Sequence, residues 1–402
     1  MRTLVQKMRA GEQFLARGKV HGWLSAANMA VGDHPFVLLK CKIGSSAKAL
    51  GFFWQKRMQR GIYEMFLIFS LSYATVSIGG EIMRNIVAYI LLLSFVLCGC
   101  ANGQLDPAAT DETVWLNMQK EYPMLDTLPD GQNQRVKVVF LLGQSNATGC
   151  SLTSYLQQGV SQEEYAEFER GYDSVRIHFS LDDKKYNSAG AFVPVDLNCG
   201  AGEGYFGPEV GMAQVLAQAY PEELVLILKF TMSGYSLHHH WLCAGQRGSI
   251  YEAFLAFAQS SMNYLVSKQY DARIGAICLM QGESDTTDYK ASCYFDNQVA
   301  FVSYLRQDLG AWAEDGGICF IDAGISSSPY CEPAYPAINE AKLRFSELSP
   351  LNYYFSTIDA GFTTLCEPEG NPDLGHYDAL CELELGRMFG QLILQAYEDD
   401  RK

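Results

Sequence analysis

The chain has 402 residues, of which 48% are hydrophobic and 19% are charged, and this composition excludes a wholly disordered or collagen-like chain. Its formal net charge of −15 argues against a general nucleic-acid binder, because phosphate contacts need a surplus of Lys and Arg. The charge is also uneven, since residues 1–82 hold 11 basic and 4 acidic side chains whereas residues 83–402 hold 19 and 41. The composition therefore changes near residue 83.

A second chain start is predicted at Met83. Arg84 precedes an apolar run over residues 86–97, which is shorter than the roughly 20 residues of a membrane span and typical of a secretory signal. The sequence Leu-Cys-Gly-Cys, which ends at Cys100, resembles a bacterial lipoprotein signal that is cut before the last cysteine. Cys100 is then the lipidated residue. The alternative is a buried core helix.

A signal peptide works only at the N-terminus, so we interpret Met83 as the initiator and residues 1–82 as an over-extended gene-model leader without an assigned function. The alternative is a genuine cytoplasmic extension with an internal anchor. Residues 83–100 are then the signal peptide, and residues 101–134 form a tether leading into the folded domain. We expect an exported protein that is lipid-anchored in the bacterial cell envelope and meets the membrane only through this anchor.

Nine cysteines follow Cys100. Because nine is odd, at least one stays unpaired if Cys100 carries lipid. Their spacing contains no Cys-x-x-Cys pair, so a zinc site is not suggested. An exported protein can form disulfides, but the sequence does not define their pairing.

Residues 135–402 are predicted to form one α/β domain. One helix-like pattern begins at Pro208, and three more cover residues 250–265, 299–309 and 385–392. They alternate with apolar, strand-like runs at residues 136–142, 175–179, 224–230, 274–280, 318–325 and 353–358. This alternation predicts a parallel sheet that is covered by helices on both faces.

Four polar, glycine-bearing segments follow these runs. In open α/β sheets the ligand binds at the carboxyl ends of the strands, so these segments are expected to converge on one rim. They are residues 143–146 (GQSN), 231–236 (TMSGYS), 281–285 (QGESD) and, after the last run and a loop, 373–376 (DLGH).

Ser145 is the candidate nucleophile because it lies on a predicted strand-to-helix turn, where its hydroxyl can project into a cleft. A serine needs a base, and His376 follows Asp373 by three residues. The carboxylate can therefore hold one ring nitrogen while the other faces the serine. Asp378 competes with Asp373 for this orienting role.

The other histidines of the exported region are weaker candidates. His178 alternates within a strand-like run and is predicted to be a wall or surface residue. The triplet at residues 238–240 cannot direct three side chains the same way, which weakens both a base and a metal site. We therefore expect no metal ion.

An acyl-transfer site also needs donors for the developing oxyanion. The candidates are the backbone N–H groups of Ser145 and Gly234 and the side-chain amide of Gln281. Glu283 is interpreted as a brace for the Gln281 turn rather than as a catalytic acid. Trp241 is either a sugar-stacking or a core residue, and the roles of Tyr205 and Tyr235 as pocket-lining residues stay open.

These motifs, together with residues 139–142 (VFLL) and 207–209 (GPE), resemble the SGNH hydrolase superfamily. Within it they are most similar to the sialate O-acetylesterase and acetylxylan esterase branch of carbohydrate esterases, over residues 136–395. The resemblance implies a flavodoxin-like three-layer sandwich and metal-independent removal of acetyl groups from sugars, without a cofactor. It also implies that Ser145 is the nucleophile, His376 the base and Asp373 its orienter.

The same resemblance makes Gln144, Asn146 and Glu283 candidate supporting residues. It leaves the oxyanion donors of the second segment less defined, because Ser-Gly-Tyr-Ser stands at residues 233–236 where Gly-Gly-Thr-Ser is common. The expected partner is an O-acetylated glycan, with sialic acid, xylan and pectin all open. The rival hypotheses are a glycan-binding surface lipoprotein without catalysis and a lipase-like or peptidoglycan-directed esterase.

Overall fold

The computed structural model describes residues 25–30, 35–40 and 115–399. Strands β1 (Ser25–Ala30) and β2 (Pro35–Lys40) form an antiparallel pair. The predicted signal peptide, its lipidation site Cys100 and most of the predicted leader and tether lie outside the described residues. None of the helices in residues 115–399 combines the length and the hydrophobicity of a membrane span.

Strands and helices alternate along residues 135–399. The strands are β3 (Arg135–Gly143), β4 (Ser151–Leu152), β5 (Val175–Leu181), β6 (Tyr186–Asn187), β7 (Val193–Pro194), β8 (Tyr205–Phe206), β9 (Val225–Thr231), β10 (Leu242–Cys243), β11 (Gln246–Arg247), β12 (Asp271–Met280), β13 (Cys319–Ala323) and β14 (Asn352–Phe355). The α-helices are α1 (Ser145–Thr148), α2 (Thr153–Gly159), α3 (Gln162–Arg170), α4 (Glu209–Ala219), α5 (Ser249–Ser267), α6 (Asp288–Leu309), α7 (Tyr335–Ser346) and α8 (Ala379–Asp399). A π-helical turn spans Leu237–Trp241, and 3₁₀ turns span Glu283–Asp285 and Gly310–Trp312.

The central sheet has the strand order β14-β13-β12-β3-β9-β5-β6. The strands from β14 to β5 are parallel, while β6 and β7 pair antiparallel with β5 at the edge. If β5 is set aside, the remaining parallel strands follow the 2-1-3-4-5 order of flavodoxin-like sheets. The predicted α/β fold with a parallel sheet is confirmed, and β5 is an added strand beside it.

Helices cover both faces of the sheet. Phe140 in β3 contacts Phe254 in α5, with ring centroids 5.6 Å apart. Asn352 in β14 lies in the same register row as Phe140, so Phe355, three residues further, points to the opposite face. There it contacts Phe389 in α8 at 5.1 Å. These contacts define the three layers.

Two glycines bring α4 and α8 into close contact. A Cβ atom at Gly211 would lie 2.0 Å from the Leu383 carbonyl oxygen, and one at Gly386 would lie 1.9 Å from the Pro208 carbonyl oxygen. Neither distance is possible for another residue type without moving a backbone. This packing fixes the start of α8, which follows the segment that contains His376.

The chain before β3 also belongs to the core. Residues 115–134 contain neither helix nor strand, yet Met118, Tyr122 and Leu128 are buried in the main hydrophobic cluster. The backbone N–H of Leu128 donates a 3.1 Å hydrogen bond to the Tyr264 hydroxyl in α5. The domain therefore includes residues ahead of the first strand of the sheet.

A fully buried ion pair lies beneath the carboxyl end of the sheet. Lys229 in β9 and Glu209 at the start of α4 are both inaccessible to solvent, with 2.5 Å between Nζ and Oε2. The Lys229 ammonium also donates to the carbonyl oxygens of Thr148 and Cys199, both at 2.9 Å. Glu209, which ends the Gly-Pro-Glu sequence at residues 207–209, is therefore the buried partner of Lys229.

We expect Lys229→Met to destabilise the fold by about 3–5 kcal/mol, because it leaves the Glu209 carboxylate buried without its cation. Urea denaturation followed by circular dichroism measures this loss. The matched control is Lys120→Met, since the Lys120–Glu252 ion pair is exposed and its loss costs less than about 1 kcal/mol. A Lys229→Met variant as stable as the wild type would contradict this account.

Candidate active site

The turn that carries Ser145 lies between the ends of β3 and β12. Gly143 has a φ of +147°, and a Cβ atom there would lie 1.9 Å from the Met280 carbonyl oxygen, so only glycine permits this approach. The Gln144 N–H donates to that same oxygen at 3.1 Å. Ser145 is partly exposed, whereas every other residue of 141–149 is buried. The turn thus presents one serine to solvent at the point where the strand order reverses.

His376 lies in the segment between β14 and α8. Its Nδ1 is 2.7 Å from Asp373 Oδ2, and the Gly375 N–H donates to Asp373 Oδ1 at 3.0 Å. Desolvation opposes ionisation of Asp373, but the hydrogen bonds from His376 and Gly375 outweigh it and lower the pKa of this carboxyl. The contact through Nδ1 leaves Nε2 of the ring for another partner.

Asp378 has a different position from Asp373. Its carboxylate accepts hydrogen bonds from the backbone N–H groups of Cys366, at 3.2 Å, and Glu367, at 2.9 Å. It therefore braces the earlier part of the same segment. Of the two candidate orienting residues, Asp373 is the one that contacts the His376 ring.

Asn146 connects the serine turn to the histidine segment. Its Nδ2 donates to Glu283 Oε1 at 2.6 Å and to the Gly375 carbonyl oxygen at 3.3 Å. Its Oδ1 accepts from the Tyr377 N–H at 3.2 Å. Glu283, interpreted from the sequence as a brace for the Gln281 turn, thus braces Asn146 in another segment.

Gln281 is completely buried at the end of β12. Its Nε2 donates to Asp285 Oδ2 at 2.6 Å and to Gln144 Oε1 at 3.4 Å, while its Oε1 accepts from the Tyr294 hydroxyl at 2.9 Å. The Gln144 oxygen also accepts from the Ser284 N–H at 3.3 Å. Both amide hydrogens of Gln281 are engaged within the protein.

We expect Gln281→Ala to lower the free energy of unfolding by about 1–3 kcal/mol, because Asp285 and Tyr294 lose a buried partner. Chemical denaturation measures this change, with Gln158→Ala at an exposed position of α2 as a control that stays within about 0.5 kcal/mol of the wild type. Unchanged stability with a rate loss of about 10²–10³ would instead indicate that the Gln281 amide binds the oxyanion.

The second predicted segment is fixed on both sides of Gly234. The Ser233 N–H donates to Asp182 Oδ1 at 2.7 Å. On the other side, the Leu237 and His238 N–H groups donate to the buried Asp285 carboxylate at 2.8 and 3.1 Å. Gly234 has a φ of +78° and open space around its Cα.

The backbone N–H groups of Ser145 and Gly234 are the predicted oxyanion donors at this rim. Among the hydrogen bonds found in residues 115–399, none uses the N–H of Ser145 or Gly234. Free donors of this kind are what a developing oxyanion requires. Asp182, which holds Ser233, is not among the residues predicted from the sequence, where its only signal is that it directly follows the strand-like run of β5.

The remaining histidines have structural partners. His240 Nδ1 accepts from the Ser236 N–H at 3.1 Å, and desolvation, with the nearby His239 and Lys290, lowers its pKa to about 4. His178, predicted to be a wall or surface residue, is buried because α5 covers β5 there, and it stacks on Phe257 at 4.6 Å. Among the described residues, no three His, Cys, Asp or Glu side chains form a group able to hold a metal ion.

The aromatic residues considered as sugar contacts or pocket-lining residues differ in solvent accessibility. Trp241 is fully buried against Phe230 and Phe301, so of its two predicted alternatives it is the core residue and not the sugar-stacking one. Tyr235 is partly buried, with its ring 4.8 Å from that of His240. Tyr205 is 38% exposed. The two tyrosines therefore keep some accessible surface for a ligand.

The sequence of this domain decides its family. Residues 135–395 match the family described as carbohydrate esterase, sialic acid-specific acetylesterase. The chain belongs to this carbohydrate esterase family. The resemblance noted from the motifs is thereby confirmed, and the activity of the family is the hydrolysis of O-acetyl esters on carbohydrates.

Solved structures with a similar fold include a protein from Arabidopsis thaliana, which is 18% identical with a TM-score of 0.46 and is matched over 67% of this chain and 99% of its own. A second is NanS, which is 13% identical with a TM-score of 0.47 and is matched over 67% of this chain and 99% of its own. A carbohydrate acetylesterase from Xanthomonas citri is 14% identical, with a TM-score of 0.41 over 65% of this chain and 55% of its own. No curated protein matches the chain.

Proposed function

We propose that this carbohydrate esterase removes O-acetyl groups from a glycan through an acetyl-serine intermediate on Ser145. The observation that carries this proposal is the 2.7 Å contact between His376 and Asp373, in a segment that Asn146 binds to the serine turn. A base held by a carboxylate beside an accessible serine is the arrangement that nucleophilic acyl transfer needs.

In the first step, His376 Nε2 takes the hydroxyl proton as Ser145 Oγ attacks the acetyl carbonyl carbon. Asp373 stabilises the imidazolium that forms. The free N–H groups of Ser145 and Gly234 bind the oxyanion. The tetrahedral intermediate then collapses, and the sugar alcohol leaves with the proton from His376.

In the second step, water attacks the acetyl-serine. His376 accepts the water proton, the same two N–H groups bind the second oxyanion, and acetate leaves as the proton returns to Ser145 Oγ. No residue other than these four is needed for proton transfer or charge stabilisation. The chemistry requires no metal ion or cofactor.

Acetate release from a substrate panel tests this function. The purified protein is incubated with p-nitrophenyl acetate, O-acetylated sialic acid and acetylated xylan, and free acetate is measured. Release from an acetylated carbohydrate supports the proposal, and the best substrate identifies the glycan. If a protein shown by circular dichroism to be folded releases no acetate yet binds the glycans in calorimetry, the glycan-binding hypothesis replaces it.

We further propose that the protein is exported and anchored in the bacterial cell envelope by a lipid on Cys100. The support is the apolar run at residues 86–97 and the Leu-Cys-Gly-Cys sequence that closes it. A bacterial host fed an alkyne fatty acid should label the wild type and Cys98→Ser but not Cys100→Ser. Labelling of Cys100→Ser at the wild-type level would contradict the anchor.

A further inference from the structure

The segment that carries His376 lacks regular secondary structure. Residues 356–378 contain neither helix nor strand, and the side chain of Asp373, which holds the ring, is 53% exposed. An exposed carboxylate in a loop is a weak device for fixing an imidazole, because solvent competes for it. Other contacts must therefore act with Asp373 to set the position of the ring.

Asn146 provides these contacts from the residue next to the nucleophile. It binds the backbone on both sides of His376, through the Gly375 carbonyl oxygen and the Tyr377 N–H. Tyr377 is itself buried, and its carbonyl oxygen accepts from Ser151 Oγ at 2.5 Å. Asn146 follows Ser145 in the chain, and its amide binds the residues on either side of His376. It therefore links the nucleophile to the base.

Glu283 sets which way the Asn146 amide faces. The two Nδ2 hydrogens go to Glu283 and Gly375, and Oδ1 accepts from Tyr377. A flipped amide would place Oδ1 against the Glu283 carboxyl oxygen and the Gly375 carbonyl oxygen, and it would offer an N–H to another N–H. Because Asn146 and Glu283 are buried, water cannot form hydrogen bonds with the polar groups that the flipped amide would leave unpaired.

We propose that Asn146 and Glu283 form a positioning clamp, which sets the distance and angle between His376 Nε2 and Ser145 Oγ. This inference rests on the proposed function, in which those two atoms exchange a proton. Neither clamp residue touches the substrate or the proton. Their effect is on the geometry of the residues that do, and a displacement of about 1 Å in such a pair can cost 10²-fold in rate.

Asn146→Asp is the first test, because it places a second carboxylate beside Glu283 and opposite the Gly375 carbonyl oxygen. We expect kcat to fall by about 10²-fold, with KM changed much less. Glu283→Gln should keep most activity and an unchanged pH profile, since its Oε1 can still accept from Asn146. A Glu283→Gln variant as inactive as Ser145→Ala would overturn the clamp and indicate proton transfer by Glu283.

The double variant Asn146→Asp/Glu283→Gln tests whether the second substitution restores the activity that Asn146→Asp loses. Its glutamine can donate to the new aspartate, so we expect kcat to recover by about tenfold over Asn146→Asp, a gain of about 1.4 kcal/mol. The matched control is Asn146→Ala/Glu283→Gln, which should show no recovery over Asn146→Ala because alanine accepts nothing. Equal recovery in both pairs, or none in either, would overturn the proposal.

A second readout separates the clamp from the identity of the substrate. A fluorophosphonate probe phosphonylates an activated serine, and mass spectrometry gives the rate at Ser145 in each variant whose melting curve shows a folded protein. If the wild type reacts with the probe but releases no acetate, the proposed function fails while the labelling rates still decide the clamp. Wild-type labelling of a folded Asn146→Asp or Asn146→Ala variant would overturn the clamp alone.

Discussion

A Ser145→Ala variant is expected to lose at least about 10⁴-fold in kcat for acetate release, and His376→Ala a similar factor. Without the hydroxyl no acetyl-enzyme forms, and without the imidazole the hydroxyl keeps its proton. Because the two residues act in one step, the double variant should be little worse than either single variant. Acetate release from p-nitrophenyl acetate and from the best glycan substrate measures all three.

The control for this prediction is Ser154→Ala, an exposed serine on α2, which should hydrolyse acetate esters at the wild-type rate. Circular dichroism and melting curves should be the same for Ser145→Ala and the wild type, since no hydrogen bond of the Ser145 hydroxyl is found within residues 115–399. Wild-type turnover in a pure preparation of either active-site variant would disprove the proposed mechanism.

Asp373→Asn is the second substitution with a large expected effect, a fall in kcat of about 10²–10⁴-fold. Asparagine cannot supply the charge that stabilises the imidazolium, and its amide can bind the wrong tautomer of the ring. The exposure of the Asp373 side chain places the expected loss in the lower half of this range, because water replaces part of the lost interaction. KM should change much less than kcat.

Asp378→Asn is the matched control, because Asp378 binds the backbone of Cys366 and Glu367 rather than the histidine ring. We expect a lower melting temperature and a kcat within about tenfold of the wild type. The opposite pattern, with kcat lost in Asp378→Asn and kept in Asp373→Asn, would transfer the orienting role to Asp378.

The lowered pKa of Asp373 adds a pH dependence to this comparison. A carboxyl whose pKa is lower in the folded state stabilises the protein above its unfolded pKa, and this contribution is lost as pH falls through the folded value. The stability difference between the wild type and Asp373→Asn should therefore be full at neutral pH and shrink in acid. Melting curves at neutral pH and below pH 3.8 measure this change.

The convergence of the four segments could be predicted from the sequence because it depends only on a rule about sheets. Each segment directly follows an apolar run or, for Asp373 and His376, the loop after the last run, and parallel strands end at one edge. The same rule identifies Ser145, because its turn lies between the end of a predicted strand and the start of a predicted helix. Local pattern and global topology agree at these positions.

The partners of side chains on that edge could not be predicted in the same way. Gln281 directly follows β12 and Trp241 ends the π-helical turn after β9, but an amide or an indole can face the rim or the core. Packing decides between them, and here it buries both. The Asn146–Glu283 bond joins residues 137 positions apart, and no local pattern encodes a contact between α1 and a distant 3₁₀ turn.

The added strand β5 has a consequence for any attempt to shrink this enzyme. The chain between α2 and α4 looks dispensable, since the flavodoxin order of the other strands is complete without it. Yet the residue after β5 is Asp182, whose carboxylate anchors Ser233 beside Gly234. A shortened scaffold would lose the part of the main hydrophobic cluster that β5 supplies, including Ile177 and Leu181, together with the tether on the loop that carries Gly234. A smaller version of this esterase must therefore keep β5 and Asp182 if the loop at Gly234 is to stay in place.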